Sequence, residues 1–239
     1  MRWEDAMISG NGSTGIMVKG LPLEDTIIVN HEKFWVVGNE YRPEAPDLSE
    51  AWSEAREIAR EGRYLDADRY IGRQIGPKYR EMYGEQFKGG RPRYDRAHPG
   101  FHMLVSVDGN GTPRGYRRET NLETGEISVF WTDNRGNWQR KIFVSRTDDA
   151  IVMEIIPPAG YPVNAGLRFV EAPGKLEGDL ENVEIDHKDE ELYFHATYGR
   201  TMGRKYHEGY HSLARIVTKG GGKRAVANER VEITEAERL

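Results

Sequence analysis

From Phe101 onward, apolar positions recur at every second residue, in short runs separated by turn-forming residues. That period puts alternate side chains on one face of an extended chain and predicts β-strands. Phe101 to Val107 predicts a strand, ended by the strong turn Asp108-Gly109-Asn110-Gly111. Ile127, Val129 and Trp131 alternate within Glu126 to Thr132, and Asp133-Asn134-Arg135-Gly136-Asn137 turns that run into a strand from Trp138 to Ser145. Ala150 to Ile156 is more continuously apolar, as suits a strand covered on both faces. Thr26-Ile27-Ile28-Val29 is rich in β-branched residues, and further strands are predicted near 164–170, 183–186, 191–197, 211–218 and 229–234. Many short strands at regular spacing predict a mainly β chain folded as an antiparallel sandwich.

One region carries the helical period instead. Leu48, Trp52, Ala55, Ile58 and Ala59 recur at helical spacing behind Asp47 and Glu50, a capping-box pair. Gly62 breaks this helix, and a second from Tyr64 presents Ala67, Tyr70, Ile71 and Ile75 on one face. Gly76-Pro77 predicts its end, giving a helical insertion over 47–75 and a long loop over 76–100.

Gly10-Asn11-Gly12-Ser13-Thr14-Gly15 matches G-x-G-x-x-G letter for letter. A phosphate cradle needs that turn between a buried strand and a helix, whose free N–H groups and dipole face the pyrophosphate. Here Met1 to Ser9 is short and charged, and Leu21-Pro22 stops any helix after Gly15 within two turns. Glu32 lies where a ribose-binding acid would sit, but without the strand–turn–helix frame the segment predicts a glycine-rich turn feeding an edge strand.

A chain of 239 residues can bury a sizeable core. Its net charge of −5, with signs interspersed along the chain, gives no basic face for nucleic acid. No apolar run is long enough to span a bilayer, so no membrane partner is expected, and no signal-peptide core is present in the sequence. The compartment stays open, with a secreted or periplasmic site following if a leader has been removed. With no cysteine, the chain has no disulfide, thiolate nucleophile or Cys-based zinc site.

His207-Glu208-Gly209-Tyr210-His211 is a literal H-E-x-x-H, which binds zinc when a helix puts both imidazoles on one face. Gly203 and Gly209 disfavour that helix, and the residues after His211 alternate as in a strand. On an extended chain the two histidines stand about 13 Å apart, too far for one zinc. Asp108, Asn110, Thr112 and Glu119 mimic calcium-loop positions, but Pro113 occupies the place of the required glycine, so a hairpin turn is the simpler reading. No metal or cofactor is expected. Trp35, Tyr41, Trp52, Tyr79, Tyr83 and Tyr94 concentrate before the β region, as stacking surface for sugar rings or as core.

Several stretches, in order, resemble the N-terminal domain of glycoside hydrolase family 95, the 1,2-α-L-fucosidases and their α-L-galactosidase relatives. They are Trp3-x-x-Ala6 with Gly10-Asn11-Gly12-x-x-Gly15-x-Met17-Val18-x-Gly20, and Asn30 through Trp35. Glu61-Gly62-Arg63-Tyr64-x-x-Ala67 and Tyr116-Arg117-Arg118-Glu119-x-Asn121-Leu122-Glu123-Thr124-Gly125 follow. Phe143-Val144-Ser145 and Asp149-Ala150-Ile151-Val152-Met153-Glu154 complete the set. The chain departs from the family at Met7-Ile8-Ser9, usually ending in Leu-Pro. It also departs at Asn30-His31-Glu32-Lys33-Phe34-Trp35-Val36-Val37, commonly Asn-Glu-Asp-Thr-Leu-Trp-Ser-Gly, which marks a divergent subgroup.

The resemblance implies one N-terminal β super-sandwich over 1–239, galactose-mutarotase-like. It would pack against a C-terminal (α/α)6 barrel of the same polypeptide, which carries the inverting hydrolysis of an oligosaccharide substrate. No catalytic residue transfers to this chain, which alone is expected to be inactive. Glu235 to Leu239 adds no closing element, so a longer polypeptide is expected. His31, Glu32 and Trp35 are the candidates for a place near the sugar or at the domain interface. The alternative is that Phe34 and Trp35 plug the sandwich and Glu32 pairs with a surface arginine. A different class, an autonomous carbohydrate-binding module, predicts glycan binding by the chain alone. A nucleotide oxidoreductase predicts a thermal shift with NAD(P).

Overall fold

The alternating segments become strands close to where their periodicity puts them. A computed structural model describes residues 3–36, 44–84, 96–173, 180–188, 191–199, 208–220, 222–227 and 229–239. The chain divides into two compact units, Val37–Asp95 and the remainder, Met1–Val36 with Arg96–Leu239.

The larger unit is all β apart from a short 3₁₀ turn at Trp3–Asp5. Its strands are β1 (Met7–Gly10), β2 (Thr14–Val18), β3 (Glu24–His31), β4 (Trp35–Val36), β5 (Arg96–Ala97) and β6 (Phe101–Val107). There follow β7 (Arg114–Thr120), β8 (Ile127–Asp133), β9 (Gly136–Val144), β10 (Ile151–Ile156) and β11 (Val163–Glu171). The last are β12 (Leu180–Lys188), β13 (Glu191–Tyr198), β14 (Gly209–Arg215), β15 (Lys223–Ala227) and β16 (Arg230–Ala236).

Seven strands form one antiparallel sheet in the order β1-β2-β3-β6-β11-β16-β15. A four-stranded sheet, β10-β9-β8-β7, and a three-stranded sheet, β12-β13-β14, cover its inner face; β4 and β5 make a small ribbon. Ile27, Phe101, Val105, Leu167 and Ile233 of the large sheet, with Ile142 and Phe194 of the smaller ones, belong to one buried cluster. Phe101 of β6 stacks on Phe194 of β13, ring centroids 4.9 Å apart. Trp131 and Trp138 face each other across β8 and β9, stacked at 5.7 Å and almost fully buried.

Between the large and four-stranded sheets lies an ion pair with both side chains wholly buried, Asp25 of β3 with Arg140 of β9. The Asp25 carboxylate also accepts the backbone N–H groups of Gly20 and Thr26, each at 2.8 Å, and Arg140 donates to the Leu21 carbonyl at 2.7 Å. Burial draws the guanidinium's pKa down and the Asp25 carboxylate opposes that.

Two expectations change here. Met7–Gly10 does form a strand, because β2 supplies its ladder and is itself held by β3, but Gly15 opens no helix. β7 carries no apolar alternation and is mostly exposed; its pairing with β8 makes it a strand. A register shift between Arg114 and Arg117, with Gly115 at φ +58°, bends this polar edge, a form that discourages pairing with another chain.

The smaller unit holds α1 (Ser49–Arg60) and α2 (Tyr64–Tyr83), broken apart at Gly62 with φ +80°. Ala55, Ala67 and Ile71 bury against Ile58, Tyr70 and Ile75, as the spacing predicts. Asp47 accepts the Ser49 N–H at 2.9 Å, yet Leu48 occupies the cap position and makes no side-chain cap. Gly76-Pro77 does not end α2, which runs on to Tyr83, so the helical region exceeds 47–75 and the loop begins later than 76. Gly76 has no Cβ to clash with the following pyrrolidine ring, which removes the steric bar to helix before proline. Tyr79, buried and stacked on Tyr83, holds the last turn.

Candidate functional site

The glycine-rich turn is the tip of the β1–β2 hairpin. Asn11 accepts the backbone N–H groups of Ser13 and Thr14 at 3.0 and 2.8 Å, and Gly12 adopts φ +105°. The amide of Asn11 then reaches the loop after β9, donating to the Ser145 carbonyl at 3.0 Å and to Asp149 at 2.7 Å. The Thr14 hydroxyl donates to the same Asp149 oxygen at 3.0 Å. These two hydrogen bonds hold the Asp149 carboxyl below the usual carboxylate pKa. The six-residue fingerprint thus binds a side chain of its own protein where a nucleotide phosphate was the alternative.

His31, Glu32 and Trp35 stand beside this turn. The Glu32 N–H donates to the Ser13 carbonyl at 2.8 Å, and the Ser13 hydroxyl lies 3.4 Å from the Glu32 carboxylate. His31 Nδ1 accepts the Lys33 N–H at 3.1 Å. The Trp35 indole N–H donates to the Glu32 carbonyl, fixing a ring that remains 49% exposed. Glu32 is exposed, and no arginine pairs with it among the described residues.

Phe34 points the other way and packs against the core. Its ring centroid lies 4.4 Å from that of Tyr210 and 5.6 Å from that of His98. The His98 Nε2 and the Tyr198 hydroxyl are 2.7 Å apart, and the Tyr210 hydroxyl donates to the Gly100 carbonyl at 2.8 Å. Burial pushes the Tyr198 phenol up to about 12 and raises that of Tyr210 as well. A Cβ on Gly100 would stand only 2.4 Å from the Phe34 ring, so that glycine makes room for the plug. Sequence spacing missed His98, Tyr198 and Asp149 because their partners lie 100 or more residues away along the chain.

The other sequence candidates separate from this rim. Gly209 and His211 lie on β14, an exposed strand at His211, which removes the helical frame of a zinc protease; His207 lies outside the described residues. Asn110 closes the turn before β7, its N–H donating to Asp133 at 2.9 Å, and Glu119 sits in the β7 ladder opposite Ser128. Among the described residues, no three His, Asp or Glu side chains converge to hold a metal ion, and no helix is long and apolar enough to cross a membrane. Trp52 is exposed like Trp35, Tyr79 is buried, and Tyr41 and Tyr94 lie outside the described residues.

The rim therefore presents a half-exposed tryptophan ring whose indole N–H is bonded, beside an exposed carboxylate, hydroxyls and an imidazole. Comparison with curated proteins gives no match. Comparison with family models gives the glycosyl hydrolase family 65, N-terminal domain, over residues 1–239. With its mainly β sandwich and a match over its full sequence, the chain belongs to this family of glycoside hydrolase N-terminal domains.

Proposed function

We propose that this chain is the non-catalytic β-sandwich of a larger inverting glycoside hydrolase acting on α-L-fucosyl or related glycosides. It supports an (α/α)6 catalytic barrel of the same polypeptide, and its His31–Trp35 rim faces the barrel's substrate cleft or the interface beside it. The family match supports the glycosidase class, and the ordered family-95 stretches supply the narrower fucoside reading.

The observation that carries the rim assignment is Trp35, a large apolar ring half in solvent yet held by its own indole N–H. Single exposed hydrophobics are common on protein surfaces. A fixed one beside an exposed carboxylate and a locked hairpin is suited to meet a sugar face or a second domain.

In the full-length enzyme, the Glu32→Ala, Trp35→Ala double variant is expected to lose about tenfold or more in kcat/KM on 2′-fucosyllactose, roughly 1.4 kcal/mol of transition-state stabilisation. Its thermal midpoint should stay near wild type. Wild-type turnover would remove the rim from the function. A reading frame without several hundred further codons of helical periodicity would remove the parent enzyme itself.

A further inference from the structure

The outer face of the three-stranded sheet is a second place where the chain presents a ring, an apolar side chain and paired charges together. Cross-strand register sets its rows. Asp186, Tyr193 and Leu213 stand side by side on β12, β13 and β14; Lys188, Glu191 and Arg215 form the next row; Glu184, His195 and His211 form the row on the other side. The intervening residues Leu192, Phe194 and Ala196 point inward and are fully buried, so the named rows face outward. Glu184, Asp186, Lys188, Glu191, Tyr193 and Leu213 line a shallow cavity of about 220 Å³.

An ordinary solvated sheet face accounts for the charges, and charged edges also protect β12 and β14 from pairing with another chain. Leu213, 59% exposed, stands directly opposite the partly buried Tyr193, so the face also carries a small apolar centre. The charges discriminate between occupants. Lys188 pairs with Asp186 at 2.9 Å and Arg215 with Glu191 at 3.6 Å, leaving a nearly balanced face that attracts neither a polyanion nor a polycation. A stable protein interface needs roughly 800 Å² per partner around an apolar centre, and here that centre is only two side chains. A sugar ring matches the set better. Its C–H face lies against an aromatic ring and a leucine, while its hydroxyls donate to carboxylates and accept from Lys and Arg. The cavity is smaller than the roughly 300–1,000 Å³ typical of drug-sized ligands and has room for a single ring.

We propose that this face binds one neutral pyranose unit of a glycan, with Tyr193 and Leu213 as the apolar floor and Asp186, Lys188 and Glu191 addressing its hydroxyls. The contact is distinct from the His31–Trp35 rim and does not depend on which glycoside the parent enzyme cleaves.

The test uses the 239-residue chain, ¹⁵N-labelled and titrated separately with 2′-fucosyllactose, lactose and maltotriose, with dextran sulfate as the polyanion control. At least one neutral sugar is expected to shift the amides of 184–188, Tyr193 and Leu213 saturably, with half-saturation at about 1–10 mM. Tyr193→Ala should weaken that binding about fivefold to tenfold. Leu213→Asp, at an exposed position, is the second variant; both are compared at an unchanged thermal midpoint. No saturable shift at these amides with any neutral sugar overturns the proposal, as does a response to dextran sulfate alone. So do shifts confined to residues 31–35, or wild-type affinity in both variants. Loss of the fucoside assignment, by contrast, leaves the expected shifts in place.

Discussion

Asp133 shows how much one side chain contributes at the end of a strand. Its side chain is fully buried at the β8–β9 turn. It accepts the Asn110 N–H at 2.9 Å, the Arg135 N–H at 2.8 Å and two Arg135 guanidinium N–H groups at 3.1 and 2.9 Å. Burial pushes its pKa up, but the hydrogen bonds from Arg135 and Asn110 together outweigh burial and lower it to about 2. A folded pKa below the unfolded one stabilises the fold above the unfolded value and loses that contribution as pH falls through the folded value. Between an unfolded pKa near 3.8 and a folded one of about 2, the contribution is roughly 2.5 kcal/mol at neutral pH. Asp133→Asn is therefore expected to lose about 2 kcal/mol at pH 7 in urea unfolding, and its deficit should shrink between pH 4 and pH 2. A deficit constant over that range would contradict this account. The Asp-Asn-Arg-Gly-Asn stretch was readable as a turn, but nothing local indicates that Asp133 also closes the 108–111 turn, 23 residues away from it at Asn110. Asp25 and Arg140 were equally silent: each looks like a surface charge until the sheets stack and bury the pair.

At the scale of elements, the informative case is α2, where a local stop signal failed. Proline inside a helix removes one hydrogen bond and crowds the carbonyl four residues back, at a cost of about 3 kcal/mol. Gly76, lacking a Cβ, avoids the separate crowding that disfavours helix at the residue before proline, and the buried Tyr79 continues the helix because packing rewards it. Pro77→Ala restores the N–H and is expected to stabilise the helix by about 1–3 kcal/mol. The measurement is amide hydrogen exchange of residues 78–83, which should slow by tenfold or more, about 1.4 kcal/mol per factor of ten. Exchange as fast as wild type would show that Pro77 imposes no such cost. The strand pattern was more dependable than the stop signal. Phe101–Val107 is a strand over its predicted bounds because the inner face wants every second residue apolar. β7 was not legible, since a polar edge strand has no buried face to impose a period.

At the scale of the molecule, strands far apart in sequence make one sheet. β6 lies between β3 and β11, and β16 between β11 and β15, so the large sheet is completed only by its last strands. Val231, Ile233 and Ala236 of β16 are almost fully buried, and burying the Val and Ile alone is worth roughly 3–6 kcal/mol. That is a large share of the about 5–15 kcal/mol that holds a typical domain folded. Beyond β16, the backbone of Leu239 pairs with Ile155 on the edge of β10. A chain ending at Glu229 is expected to lose cooperative thermal unfolding and to bind ANS. A cooperative transition at the wild-type midpoint would show that the large sheet does not need its C-terminal strands.

The sequence by itself determined the apolar period of the central strands from β6 onward, the two helices and their buried stripe, and the reading of the glycine fingerprint as a turn, but not the short or polar strands β1, β2, β4, β5, β7 and β15. The features it did determine follow from side-chain spacing and backbone sterics within a few residues. Its ordered motifs also pointed to a glycoside hydrolase N-terminal domain, the class the family match supports. Only tertiary structure decided that Asn11 and Thr14 anchor Asp149, that Phe34 fills the core while Trp35 stays in solvent, and that Tyr193 and Leu213 share one outer face. Such juxtapositions join residues from separate strands, and their partners are fixed by how the sheets pair and stack. No period within any one strand encodes that.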